Sequence, residues 1–109
     1  MTDITITRKD KHIVEVVASG HTGYGEQGED IVCAGVSTLI QSALLGLLQV
    51  AGIAVKYTVN EKQGSLRFTL PDGLTEQERH DADVILNTML CGLQDFYTEY
   101  SDYINLEVI

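Results

Sequence analysis

Residues 12–52 read HIVEVVASGHTGYGEQGEDIVCAGVSTLIQSALLGLLQVAG, and three patterns follow one another along them. Residues 12–19 are rich in Val and Ile, the composition of a strand. In residues 20–28 the glycines Gly20, Gly23, Gly25 and Gly28 interrupt any period, while His21, Tyr24, Glu26 and Gln27 supply polar and aromatic groups. That segment reads as a loop able to move. From Asp30, a candidate N-cap, Val32, Val36, Leu39, Ala43, Leu47 and Val50 recur at spacings of three and four. The spacing predicts a helix ending near Ala51, with Gly52 as its stop. Ile40, Leu44, Leu45 and Leu48 lie off that stripe, so the helix is apolar almost all round and needs cover on more than one side.

Upstream, residues 4–8 alternate Ile and Thr and join residues 12–19 around Lys9-Asp10-Lys11, which predicts a hairpin. Downstream, residues 55–60 and 65–70 read as a second strand pair, connected through Glu61 to Gly64 and closed by Pro71-Asp72-Gly73. Thr75 with Glu78 matches a capping box. A long second helix follows, with Ala82, Ile85, Leu86, Met89, Leu93, Phe96 and Tyr100 on one face, and residues 104–109 read as a last strand. This order predicts an α+β fold: a two-layer sandwich with two helices packed on a mainly antiparallel or mixed sheet. At 109 residues and 44% hydrophobic, the chain is expected to form one domain, residues 1–109, without disulfide or metal staples. The apolar surface of the first helix, including Ile40, Leu44 and Leu48, exceeds what one contact with a sheet covers, and a homodimer is expected.

A net charge of -9 repels a phosphate backbone, so no nucleic-acid partner is expected and a basic polypeptide suits the field better. The opening MTDITITRKDKH is too polar for a secretory signal, so nothing is expected to be removed from it. The longest mostly apolar stretch, residues 43–55, falls short of the roughly 20 residues that span a bilayer, and no membrane association is expected. Two cysteines without a signal segment point to a reducing compartment, hence a cytoplasmic protein with free thiols.

Cys33 stands three residues after the candidate cap, where unpaired N–H groups and the helix dipole favour a thiolate. A buried cysteine acting as a small hydrophobe fits the same position. The loop before the helix can bring His21 to Cys33, and such a pair is a nucleophile with its general base. His21 also fits a loop residue bonded to backbone. Asp30 can cap the helix or orient His21. Ser37, one turn beyond Cys33, can bond near the thiolate or back to the Cys33 carbonyl. His12, His21, Cys33, His80 and Cys91 contain no close ligand pair, so no metal or other cofactor is expected. Cys91 reads as core. The glycine-rich run lacks the lysine and spacing of phosphate-binding loops.

The run Gly20-His21-Thr22-Gly23-Tyr24-Gly25-Glu26-Gln27-Gly28-Glu29-Asp30-Ile31-Val32-Cys33-Ala34-Gly35-Val36-Ser37 closely resembles the signature segment of the ribosomal-processing cysteine protease family, called Prp. The resemblance implies a small homodimeric α+β cysteine endopeptidase. Its implied substrate is a large-subunit ribosomal protein, the twenty-seventh in the usual naming, from which a short N-terminal extension is removed. The family's histidine falls on His21, its nucleophile on Cys33, and the associated acid and hydroxyl on Asp30 and Ser37. Gly20, Gly23, Tyr24, Gly25 and Gly28 then belong to a lid over the substrate. Thr22 and Gly35 stand where the family has alanine often or sometimes, changes that leave the turn and helix start intact. The N–H groups of Cys33 and Ala34 are the first candidates for an oxyanion hole. A rival reading is a non-catalytic ribosome-assembly factor that clamps a basic ribosomal segment.

Overall fold

Asp10 and Lys11 have positive φ, 53° and 70°, the backbone that a two-residue turn between right-twisted strands requires. They connect β1 (Thr2–Lys9) to β2 (His12–Ser19), which pair antiparallel with Lys9 opposite His12 and Asp3 opposite Ser19. The computed structural model describes residues 1–20, 27–62 and 64–109, and the backbone alone for 27–30. After β2 come α1 (Gln27–Leu45), a π-helical turn (Gly46–Val50), β3 (Lys56–Asn60), β4 (Ser65–Thr69), α2 (Glu76–Tyr100) and β5 (Ile104–Val108). The sheet order is β3-β4-β2-β1-β5, with β5 parallel to β1 and the other neighbours antiparallel. The two-layer α+β arrangement is therefore as expected, and its sheet is mixed.

Each helix is a crossover between parallel strands, α1 from β2 to β3 and α2 from β4 to β5. β2 and β4 run in opposite directions, and their crossovers travel opposite ways across the sheet. The one favoured handedness then puts both helices on the same face. Alternation along β1 turns Thr2, Ile4 and Ile6 to that face, and β4 contributes Leu66 and Phe68. Val32, Val36, Ile40, Ala43 and Leu44 of α1 close over them with Ala82, Leu86, Met89, Leu90 and Leu93 of α2. Burying each of the larger side chains contributes about 1.5–3 kcal/mol. At the head of α2, the Thr75 hydroxyl accepts from the Glu78 N–H (3.1 Å) and the Glu78 carboxylate accepts from the Thr75 N–H (3.0 Å), the capping box that the sequence predicts. Gly52 ends the first helical segment at φ 67°, a conformation that disfavours any side chain.

Several expectations need correction. α1 is already helical at Gln27, so Asp30 lies inside it rather than at its cap. Gln27 and Glu29 favour helix, and Gly28 costs only about 1 kcal/mol there. Ile40 and Leu44, counted as spare surface for a second chain, are buried in the core, and the outward apolar residues of this segment are Ile31, Leu45 and Val50. Cys91, read as core, is exposed, whereas its neighbour Leu90 is buried; a rotation of about 100° per residue separates the two. Tyr100 also faces out at 36% exposure, where α2 runs past the core. Finally, the apolar helical stretch is Ile31–Val50, 20 residues of mean hydropathy 2.0, enough by length and composition to cross a bilayer. Its inner stripe of Val32, Val36, Ile40 and Leu47 is buried, as in the core helix of a water-soluble fold.

The two helices run antiparallel at close range because glycines remove the side chains between them. A Cβ on Gly35 would lie 2.5 Å from the Phe96 ring, and one on Gly92 would lie 3.1 Å from Leu39. Alanine at position 35 is therefore not a small change in this chain. Gly35→Ala should lower unfolding free energy by about 1–3 kcal/mol through overpacking, measured by urea denaturation, with Phe96→Leu in the same chain recovering part of the loss. An unchanged denaturation midpoint in Gly35→Ala would contradict the contact.

Candidate active site

Cross-strand partners share a face, so Tyr57 and Val59 of β3, opposite Phe68 and Leu66 of β4, turn toward the helices. Neither helix covers them, and they stand 54% and 56% exposed. The uncovered strand and the flank of α1 bound a groove of about 680 Å³, within the roughly 300–1,000 Å³ typical of ligand sites. Cys33, Ala34, Ser37 and Gln41 form the helical wall, Val59, Asn60, Glu61, Gly64, Ser65 and Leu66 of the β3–β4 hairpin contribute the other, and Ala18 of β2 lies between. Cys33 and Ser37 are half-buried, one helical turn apart on the face that looks across at Gly64 and Ser65. Along this stretch the back-bond to a carbonyl is made by the Thr38 hydroxyl, which donates to Ala34 at 2.9 Å.

The early start of α1 carries Cys33 away from the helix end. It is at least the seventh helical residue, past the four N–H groups without intrahelical partners and past the turn in which the dipole acts. The N–H groups of Cys33 and Ala34 are thus committed to the helix, which corrects their candidacy as oxyanion donors. What distinguishes Cys33 is its place on the groove wall.

His21, Gly23, Tyr24 and Gly25 lie outside the described residues, and for Gly28 and Asp30 only the backbone, within α1, is described. Gly20 is described, and its N–H donates to the carbonyl of Gly64 at 3.2 Å. The residue just before His21 is therefore bonded to a residue that lines the groove with Cys33. Neither other histidine lines that groove: His12 Nδ1 pairs with the Asp83 carboxylate at 2.8 Å, and His80 is exposed on α2. Among the described residues, no three His, Cys, Asp or Glu side chains form a group that can hold a metal ion.

Gln41, Asn60, Glu61, Gly64 and Ser65 line the groove and escaped the sequence reading. Gln41 left a signal, since it continues Cys33 and Ser37 at four-residue spacing as a polar stripe on an apolar helix. The hairpin residues left none, because only the pairing of β3 with β4 brings them opposite α1.

A family model described as "Cysteine protease Prp" matches residues 1–105. The chain is 31% identical to the ribosomal processing cysteine protease Prp of Bacillus subtilis over 109 residues, 99% of this chain and 96% of that protein. It is 30% identical to its Staphylococcus aureus namesake over 104 residues, 95% and 93% of the two chains. Among solved structures, the S. aureus protease with a substrate peptide superposes with TM-score 0.88 at 27% identity, and that protease with a covalently linked product peptide with TM-score 0.84 at 28%, each over 100% of both chains.

The groove geometry makes a testable statement about access to Cys33. Val59→Trp, on an exposed edge position, should slow alkylation of Cys33 by a bulky maleimide about tenfold, roughly 1.4 kcal/mol in barrier. Exposed Cys91, the internal control resolved by peptide mapping, should react unchanged. Equal slowing of both thiols, or of neither, would contradict the groove as described.

Proposed function

The chain belongs to the cysteine protease Prp family, and from that premise we propose that it removes a short N-terminal extension from a large-subunit ribosomal protein, the twenty-seventh in the usual naming. The observation that carries this reading is the position of Cys33 on an open groove whose far wall, at Gly64, is hydrogen-bonded to the residue preceding His21. His21 is the base. It takes the proton from the Cys33 thiol, and the sulfur attacks the scissile carbonyl carbon. As the tetrahedral intermediate collapses, the imidazolium returns the proton to the leaving amine, and a thioester to Cys33 remains. Water, deprotonated by His21, then hydrolyses that thioester and frees the enzyme. The covalently linked product peptide of the related S. aureus structure supports a covalent route.

Asp30 orients His21, and Ser37 supplies a hydroxyl on the thiol's own side of the groove. Gly20, Gly23, Tyr24 and Gly25 act as the lid over the bound segment, while Gly28, expected there too, belongs to the first turn of α1. The groove combines apolar Ile40, Leu44, Leu45 and Val59 with polar Gln41, Asn60 and Glu61, a lining suited to an extended peptide held by its backbone and by apolar side chains. The net charge of -9 draws in a basic ribosomal chain. We place the enzyme in the cytoplasm, where its two cysteines stay reduced. We propose a homodimer, supported by the exposed Ile31, Leu45, Val50 and Tyr57.

Cys33→Ala should abolish cleavage of the precursor while leaving its binding intact, and His21→Ala should slow cleavage by about 10²–10⁴-fold, both read by mass spectrometry of the ribosomal substrate. Binding without cleavage by the unaltered protein would instead favour the non-catalytic clamp. Raising salt should reduce the association rate of a peptide carrying a basic tail more than that of the same extension without it, since a Debye length of about 8 Å at physiological ionic strength screens only the long-range part. Equal salt slopes for the two peptides would remove the electrostatic argument.

A further inference from the structure

Among the described residues that line the groove, Glu61 is the one that carries a charge. As a crossover between parallel strands, α1 runs antiparallel to β2 and β3, so the finish of β3 lies beside the early turns of the helix, where Cys33 stands. Alternation from Tyr57 through Val59, both on the helix face, carries position 61 to that same face. The β3–β4 register, continued past Asn60 and Ser65, sets Glu61 opposite Gly64. There the Gly64 N–H donates to the Glu61 carbonyl at 3.3 Å and closes the hairpin. Gly64 has no side chain, so nothing from β4 covers the carboxylate at that position.

The cations of the two strands lie on the other face. Alternation turns Lys56 of β3 and Arg67 of β4 away from the helices, and Arg67 is held there by Glu15 at 3.0 Å. Lys62, next in sequence, does not line the groove, and among the described residues no ion pair engages Glu61. Toward the other end of the groove α1 contributes Ile40, Leu44 and Leu45. The groove is therefore apolar at one end and negative at the other. A peptide filling it takes water from the Glu61 carboxylate, which costs binding free energy unless the occupant supplies a cation.

We propose that Glu61 is a specificity-determining residue: it pairs with a Lys or Arg side chain of the substrate segment lying beside Cys33, while apolar side chains of the same segment fill the end at Ile40, Leu44 and Leu45. The inference rests on the peptidase reading and narrows it, because one basic residue close to the cut becomes part of what is recognised. Such a contact acts at one position of the peptide, whereas the field of the net charge acts on every position.

The test uses peptides of the precursor extension spanning the cut. Each position in turn, over about four residues on either side or roughly 13 Å of extended chain, is made Lys, Gln or Glu. With the unaltered chain, one position should prefer Lys over Glu about fivefold in kcat/KM, the upper range for a partly exposed pair. Glu61→Gln should erase that preference and Glu61→Lys should reverse it. Glu99→Gln, an equal change in net charge at the exposed last turn of α2, should keep it. A Lys preference that survives in Glu61→Lys, or that Glu99→Gln lowers as much as Glu61→Gln does, would overturn the inference, as would no preference at any position. If the unaltered chain cleaves none of the peptides, the peptidase reading fails, and the same comparison read as Kd by fluorescence anisotropy decides the inference alone. A Lys preference erased in Glu61→Gln then upholds it, and equal Kd values overturn it.

Discussion

The contact between Gly35 and Phe96 sets the geometry on which the site depends. A helix as apolar as α1 has to be covered on two sides, and the missing Cβ at Gly35 lets the Phe96 ring of α2 lie against it. With α2 on one side and the sheet beneath, the remaining flank of α1 is the row of Cys33, Ser37 and Gln41. Gly35 is two residues from Cys33, so the packing that holds the helix pair together also fixes the height and rotation of the thiol. Because neither helix covers β3, its inward-facing Tyr57 and Val59 remain open. The groove is thus a consequence of where two helices stop on a five-stranded sheet.

Elements governed by local chemistry were legible in the sequence. The Lys9-Asp10-Lys11 turn, the Thr75–Glu78 capping box and the Gly52 stop each carry a short-range signature, and each stands where that signature puts it. The alternation of Ile4 and Ile6 and the stripe of Val32, Val36 and Leu47 report burial directly. The start of α1 was less legible, because glycines at 23, 25 and 28 mask the helix-forming Gln27 and Glu29. Ile40 and Leu44 were misassigned to an interface because a sequence shows how much of a helix is apolar but not how far the sheet and second helix reach around it. Cys91 shows the same limit in reverse, an apolar neighbourhood in sequence and an outward face in space.

For the site, Cys33 and Ser37 could be found because one helix carries both, and Gly20 because a break in period announces a strand end. The opposite wall could not. Asn60, Glu61, Gly64 and Ser65 meet α1 only through a crossover and a strand pairing, and no spacing along the chain encodes that meeting. The signature resemblance singles out Cys33, and Cys33 is among the residues that line the groove.

The claim at the centre of this account is that Cys33 forms a covalent bond to the substrate's acyl group. Rapid-quench intact-mass analysis of the unaltered protein with the precursor peptide tests it most directly. The account predicts a transient adduct with the mass of the N-terminal product, mapped by digestion to the peptide containing Cys33 and released by hydroxylamine as a thioester is. Turnover at full rate with no adduct on Cys33, or an adduct confined to Cys91, would contradict it.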